Sequence, residues 1–295
     1  MPPRHDAPFP HKILPYVLLA PQLVITFVFF LWPAAQALRQ SVLREDPFGL
    51  KTQFVGLANF QRVLAEPGYL DAMFVTIIFS LAVMASALAI GLALAVAADA
   101  LLKGARFYEI VLVLPYAVAP AAAGVLWFFL LHPSLGIAAG GIKALGYPWN
   151  YQINGHDALA LVVVASIWKQ VSYNFLFFLA GLQAIPRALI EAAAIDGAGP
   201  WTRFWRVVWP LISPTTFFLM VVNLLYAIFD TFGVIHATTQ GGPGQATTTL
   251  IYKVYRDGFI GLDLGGSSAQ SVILMSIVIV LTILQFRYVE RRVNY

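Results

Sequence analysis

Long apolar runs separated by shorter polar segments dominate the sequence. A helix needs about 20 predominantly apolar residues to cross about 30 Å of hydrocarbon, and six runs meet or approach that length. The pattern predicts an all-α, polytopic membrane protein: a six-helix bundle in one domain over 13–286, with short tails at 1–12 and 287–295. The predicted spans are 13–32, 72–98, 107–131, 158–180, 211–235 and 269–286.

The composition supports a membrane protein and excludes several other classes. Hydrophobic residues make up 60% and charged residues 11% of the 295 positions, whereas soluble domains hold about 45–50% and about 25%. The absence of cysteine excludes a disulfide framework, a thiolate metal site and a cysteine nucleophile. The first apolar run is longer than a typical signal core and lacks a small-x-small cleavage site, so it is predicted to be a retained span.

The distribution of basic residues predicts the orientation, because Lys and Arg accumulate on the cytoplasmic side of membrane proteins. With the N-terminus inside, the four inner segments hold ten Lys and Arg in 59 residues, and the three outer segments hold seven in 98. Both termini are therefore predicted to be cytoplasmic. The net charge of +4 reflects this bias and does not indicate a nucleic-acid partner, since no soluble basic face with interleaved aromatics is present.

Two features inside the spans predict how the helices pack and bend. Pro115 and Pro120 interrupt the third span, where neighbouring helices must satisfy the freed carbonyl groups. They predict a kink, which is either structural or part of gating.

Small residues recur in the second span at Ala82, Ala85, Ala89 and Ala93. They predict a helix face that packs closely against a neighbour.

The cytoplasmic stretch 181–210 is predicted to form two short helices below the membrane. Pro186 suits a first helical position, Gly197 and Gly199 stop that helix, and Pro200 begins a second one. The first helix carries a face of small alanine side chains. Periodicity alone leaves two interpretations open: an amphipathic linker on the lipid headgroups, or a helix that docks into a groove of a partner.

The same loop carries a motif with a specific spacing. Glu191-Ala192-Ala193 is followed by Gly197, Val207 and Trp209-Pro210, and this run resembles the loop signature of permease subunits of ATP-binding-cassette (ABC) importers. The commonest pattern of that family has isoleucine at the position of Val207 and leucine at that of Trp209. Further stretches resemble the carbohydrate-uptake branch, and within it the permeases for sn-glycerol 3-phosphate: 53–60, 114–121, 166–178, 241–243, 246–252, 261–264 and 286–290.

The resemblance implies a fold, partners and a set of docking residues. It implies the six-span bundle of type I ABC importers in a bacterial inner membrane, with a second homologous permease, two ABC ATPase subunits and a periplasmic substrate-binding protein as partners. No Gly-x-x-x-x-Gly-Lys-Ser/Thr loop occurs in the chain, so ATP and Mg²⁺ are expected on the ATPase subunits and no cofactor on this chain. By position, the residues that contact the ATPase would be Glu191, Ala192, Ala193, Asp196, Gly197, Phe204, Val207 and Pro210.

Polar residues inside the fourth and fifth spans are candidates for the substrate path. A charge near the middle of a span is costly and marks either function or a buried structural pair, so Lys169 either meets an anionic cargo or pairs with Asp230 or a nearby carbonyl. The amides of the set are equally compatible with interhelical hydrogen bonds. The candidates are Lys169, Gln170, Tyr173, Asn174, Asn223, Tyr226 and Asp230.

The last predictions concern an outer loop, metal binding and two alternative functions. Gly241, Gly242 and Pro243 form a sharp turn, and the resemblance implies that this turn contacts the binding protein. The five histidines lack ligand spacing, so no metal site is predicted. An integral-membrane enzyme would need a metal- or phosphate-binding cluster, and a secondary transporter would need no ATPase. The cargo stays open between glycerol 3-phosphate, a glycerophosphodiester and a neutral sugar or oligosaccharide.

Overall fold

The computed structural model describes residues 13–45, 52–100 and 105–289, and most of these residues are helical. The predicted all-α bundle of membrane-spanning helices is confirmed. The tail 1–12 and residues 290–295 lie outside the described residues. Within the described ranges, five continuous helices are long and apolar enough to cross a membrane. They are named here the first, second, fourth, fifth and sixth spans: Leu14–Ser41, Pro67–Asp99, Gly155–Gln183, Ser213–Asp230 and Leu264–Arg287.

The third span is broken and not merely kinked. Its two halves, Ile110–Ala117 and Pro120–Leu130, meet at an angle of 106°. Helix Ala105–Val113 leads into a tight turn at Leu114–Ala117, and Val118 then has an extended backbone with ψ 130°. Pro115 and Pro120 cause the break because a proline has no N–H to donate within a helix. We call the segment from Leu114 to Ala119 the break.

Several spans extend beyond the apolar runs of the sequence, and polar side chains cap the first residues of two of them. The side chain of Asn154 accepts a hydrogen bond from the backbone N–H of His156 (2.9 Å) at the start of the fourth span. The side chain of Asp263 accepts one from the backbone N–H of Gly266 (2.9 Å) at the start of the sixth span. Between the spans lie short helices and a hairpin in which β1 (Leu43–Glu45) pairs antiparallel with β2 (Thr52–Phe54), Leu43 opposite Phe54. The short helices are Ala58–Ala65, Ile137–Ala144, Arg187–Ile195, Pro200–Arg203, Trp209–Leu211, Phe232–Thr238 and Leu250–Tyr255.

The second and fourth spans pack closely through a glycine. A Cβ on Gly91 would lie 2.6 Å from Cβ of Asn174 and 3.2 Å from the backbone N of Phe175. The packing face of the second span is the buried series Phe79, Val83, Ala87, Gly91 and Ala95. The face expected from the sequence is therefore corrected, because Ala85, Ala89 and Ala93 are exposed in this chain. Both series of residues repeat every three or four positions, so spacing alone does not show which of them packs.

A pair of amides joins the fourth span to the fifth. Asn223 Nδ2 donates to Asn174 Oδ1 (2.7 Å) and to Leu219 O (2.7 Å), and Asn174 Nδ2 donates back to Asn223 Oδ1 (3.1 Å). Both side chains are completely buried. Such interhelical bonds contribute about 0.6–2 kcal/mol each in membrane bundles. Since Gly91 contacts Asn174 from the other side, one site holds three spans together.

We predict that Gly91→Ala opens this three-span contact. The added methyl group must displace the backbone of the fourth span, and overpacking of this kind costs about 1–3 kcal/mol. The expected result is a lower thermal midpoint and lower abundance of the purified complex. Gly140→Ala is the matched control, because Gly140 lies in helix Ile137–Ala144 with nothing within 4 Å of the added Cβ. Equal midpoints for the two variants would contradict the packing argument.

Candidate functional site

A cavity of about 530 Å³ lies between the break, the fourth span and the fifth span. The backbone of the break forms one wall, and polar side chains of the two continuous spans form the others. The cavity therefore combines apolar residues with the charged and polar side chains of Lys169, Gln170 and Asp230. The lining residues are Tyr116, Ala117, Val118, Ala119, Pro120, Lys169, Gln170, Tyr173, Val222, Leu225, Tyr226 and Asp230.

Lys169 supplies the positive charge of the cavity. It is the central residue of the 29-residue fourth span and is only 6% exposed. Its Nζ donates to the carbonyl oxygen of Val118 and, at 3.5 Å, to that of Tyr116. The same ammonium lies 5.9 Å from the centre of the Tyr116 ring, within the range of a cation–π contact.

The carbonyl groups that Lys169 contacts are those that the break leaves without a helical partner. In a continuous helix the carbonyl of Tyr116 would accept from the N–H of residue 120, but that residue is Pro120. Val118 is extended, and the next helix begins with the bond from Ala123 N–H to Ala119 O (2.9 Å). An unsatisfied carbonyl inside a membrane costs several kcal/mol. The ammonium of Lys169 therefore substitutes for the missing N–H groups.

The cavity brings five of the seven predicted path residues together. Gln170 and Tyr173 lie beside Lys169, and Tyr226 and Asp230 face them from the fifth span. Tyr173 packs against the ring of Tyr116 at 5.2 Å. The carboxylate of Asp230 is exposed, and no ion pair within 4.0 Å joins it to Lys169 in the part of the chain that the structure describes. In this conformation Lys169 is therefore hydrogen-bonded to backbone carbonyl groups, as one of the two structural alternatives expected, and is not paired with Asp230.

Asn174 and Asn223, which the sequence also places on the path, lie outside the lining of the cavity. Their amides bind each other across the buried contact of the fourth and fifth spans. Asn174 does not reach the cavity because it is five residues after Lys169 and projects from another face of the same helix. In this structure the two residues form an interhelical hydrogen bond and do not line the cavity.

The loop 181–210 forms the exposed helix Arg187–Ile195, with Pro186 just before its first residue and not within it. Glu191, Ala192 and Asp196 are exposed and Ala193 is half-buried. The helix ends in a Schellman motif: Ala198 N–H donates to Ala193 O (3.0 Å) and Gly197 N–H to Ala194 O (3.1 Å). Gly197 has φ +82°, a conformation that glycine adopts without steric cost.

Half-buried residues attach this loop to the bundle. The predicted second helix begins at Pro200, and Phe204, Val207 and Pro210 along it are half-buried. Trp209, the departure from the commonest family pattern, packs with Val208 and Ile190 against a buried cluster at this end of the fourth and fifth spans. That cluster contains Phe178, Leu179, Leu182, Ile185, Ile212 and Leu219.

The loop at the opposite end of the bundle is rigidly bonded. Gly241 has φ +84° and is buried, and its carbonyl accepts from Thr247 N–H (3.2 Å) and Thr248 Oγ1 (3.0 Å). Gly241 is therefore covered by its own loop in this conformation, whereas Gly242 and Pro243 are half-exposed and line a second cavity of about 390 Å³. Tyr151 lies in the same lining, and burial raises the pKa of its phenol.

Sequence reasoning missed an ionic cluster near this loop. Lys253 is 1% exposed, and its Nζ lies 2.7 Å from Glu66 Oε1 and 2.8 Å from Asp257 Oδ2. Gln270 Nε2 donates to the same Asp257 oxygen at 2.8 Å. The cluster joins helix Leu250–Tyr255 to the starts of the second and sixth spans. The i, i+4 spacing of Lys253 and Asp257 was the available signal, but Glu66 is distant in sequence.

Comparison with known proteins identifies the class. Residues 87–295 match the family described as "Binding-protein-dependent transport system inner membrane component", and the chain belongs to this family. It is 60% identical over 287 residues, covering 97% of this chain and 98% of the relative, to the sn-glycerol-3-phosphate transport system permease protein UgpA of Rhizobium meliloti. A relative with the same name from Yersinia pseudotuberculosis is 60% identical over 282 residues, 96% of each chain.

Solved structures support the same fold. A chain of a bacterial ABC transporter involved in the import of the acidic polysaccharide alginate superimposes with a TM-score of 0.81, covering 96% of both chains at 20% identity. The polytopic bundle predicted from the sequence is thus the fold of ABC importer permeases. Together with the family match, this makes the chain a membrane-embedded transport permease and not an enzyme.

Proposed function

We propose that this chain is one permease subunit of an ATP-driven importer and forms half of the translocation path for sn-glycerol 3-phosphate. The observation that carries the cargo assignment is the 60% identity, over nearly the whole chain, to permeases named for that compound. The cavity at Lys169 supports it on chemical grounds. A phosphate monoester needs a positive charge inside the membrane, and a neutral sugar does not.

The chemistry of the cavity suits a small anion with hydroxyl groups. Two opposite charges attract several times more strongly in a protein interior than in water, so a single lysine is a substantial aid to a phosphate at mid-membrane. A lysine also offers a mobile point charge, whereas arginine would hold a phosphate in a bidentate grip that slows release. Asp230 repels the phosphate and accepts hydrogen bonds from hydroxyl groups, so the two charges orient the cargo.

The remaining subunits supply what this chain lacks. A second homologous permease would form the other half of the path, a periplasmic binding protein would deliver the cargo, and two ABC ATPase subunits would bind ATP and Mg²⁺. The structurally similar alginate transporter supports this arrangement, since it is described as a complex with its periplasmic protein. The exposed Gly242-Pro243 side of the outer loop is the expected contact with the binding protein.

The loop helix would dock on an ATPase subunit. Its small alanine side chains fit a shallow groove, and Glu191 and Ala192 are exposed on the helix. The contact core is Glu191, Ala192, Ala193 and Gly197, supported by Asp196, Phe204, Val207 and Pro210. In this arrangement the loop 181–210 and both termini are cytoplasmic, in a bacterial inner membrane.

The cargo assignment is tested by uptake into proteoliposomes that contain the whole complex and its binding protein. We expect ATP-dependent accumulation of labelled sn-glycerol 3-phosphate, with no competition from an excess of neutral disaccharide. A glycerophosphodiester serves as the intermediate case, since it keeps one negative charge. Uptake of the neutral sugar without uptake of glycerol 3-phosphate would contradict the proposal.

The docking role is tested at Gly197. Gly197→Ala forces a Cβ into a left-handed conformation and should cost at least about 1 kcal/mol at the end of the loop helix. We expect the ATP-dependent uptake by the reconstituted complex to fall. Gly199→Ala is the control, because Gly199 has φ −66° and equally open surroundings. Normal uptake by Gly197→Ala, at normal complex abundance, would exclude the role.

The orientation is tested with single cysteines, since the chain contains none. A cysteine added after Tyr295 should react with an impermeant maleimide only after the membrane is permeabilised. Gln245→Cys, at an exposed position of the outer loop, should react in intact spheroplasts. Reaction of both from the same side would show that the orientation deduced from the basic residues is incorrect.

A further inference from the structure

The ammonium of Lys169 is the sole hydrogen-bond donor that the described residues provide to two carbonyl oxygens of the break. Tyr116 O and Val118 O both accept from it, and no backbone N–H of the described chain reaches either oxygen. Lysine has three N–H donors, so these contacts leave one free. That ammonium also belongs to the lining of the cavity assigned above to the cargo.

We propose that the phosphate of the cargo and the two carbonyl oxygens of the break compete for the ammonium of Lys169, so that anion binding releases the break. The inference rests on the proposed function for the identity of the cargo. It adds that the charged residue of the path also controls the conformation of the third span.

The competition follows from the relative strength of the two kinds of acceptor. An ionised oxygen forms hydrogen bonds roughly twice as strong as those of a neutral carbonyl, and a phosphate offers three such oxygens. The flexible stem of lysine allows the ammonium to move toward the cavity, and the carbonyl groups that it leaves line the same cavity and can be hydrated there. Val118 and Ala119 are already outside any helix, and no backbone N–H of the described chain donates to the carbonyl oxygen of Val118, so this carbonyl can move without losing a backbone hydrogen bond.

A change at the break would reach the outer loop through close packing. The second half of the third span, Pro120–Leu130, packs on helix Phe232–Thr238, where a Cβ on Gly124 would lie 2.9 Å from Cβ of Ala237 and 3.1 Å from Val234 O. On the other side, a Cβ on Gly233 would lie 3.3 Å from Pro120 Cβ. Backbones this close move together. Helix Phe232–Thr238 continues into the loop at Gly241, so occupancy of the cavity is linked to the outer face.

The inference is tested by the reactivity of a thiol introduced into the break. Ala117 is exposed and lines the cavity, and Ala117→Cys would provide the one thiol of this chain. In the reconstituted complex with its binding protein and ATP, we expect sn-glycerol 3-phosphate to raise the rate of maleimide labelling several-fold. In the Lys169→Met background, labelling should be fast without cargo and should not respond to it. Leu145→Cys, at an exposed position outside both cavities, should label equally under all conditions.

A second variant keeps the test valid if Lys169→Met does not assemble. Pro120→Ala restores an N–H for the carbonyl of Tyr116, so the break depends less on Lys169, and the labelling response of Ala117→Cys to cargo should decrease. Lys169→Arg keeps the charge and the donors and should keep the response. Normal uptake with no change in labelling, or a full response in Lys169→Met, would overturn the inference and leave the proposed function intact. Absence of glycerol 3-phosphate uptake would refute the proposed function and the inference together.

Discussion

The requirement that every backbone polar group in a membrane be satisfied by the protein determines how this bundle is built. Two prolines break the third span between its helical halves and leave the carbonyl groups of Tyr116 and Val118 without helical donors. Lys169, at the centre of the fourth span, supplies those donors. One lysine thus allows an irregular segment to persist inside the bundle, and this segment forms one wall of the cavity.

The other spans hold this arrangement in place and connect it to both ends of the molecule. Gly91, Asn174 and Asn223 fix the second, fourth and fifth spans to one another a little over one turn from Lys169. The fifth span starts next to the buried cluster under the loop helix, passes the cavity at Tyr226 and Asp230, and leads through Phe232–Thr238 to the outer loop. The loops at both ends of the fifth span are therefore connected to the cavity through packed helices.

Much of this could be predicted from the sequence, and the failures have identifiable causes. Span positions follow from the length of apolar runs, and the end of the loop helix follows from Gly197, because both signals are local. The packing face of the second span could not be chosen, since exposed Ala85 and Ala89 have the same spacing as buried Ala87 and Gly91. The partners of Lys169 and Lys253 depend on residues 51 and 187 positions away. Pro120 in the sequence shows that the carbonyl group of Tyr116 has no helical donor. It does not show which side chain donates to that carbonyl instead.

The most direct test of the central claim is a high-resolution structure of the whole complex trapped with sn-glycerol 3-phosphate in the membrane. We expect the phosphate within hydrogen-bond distance of Lys169 Nζ and the ammonium withdrawn from the carbonyl oxygens of Val118 and Tyr116. The glycerol hydroxyl groups should point toward Asp230. A cargo bound elsewhere, with Lys169 still bonded to both carbonyl groups, would contradict the claim.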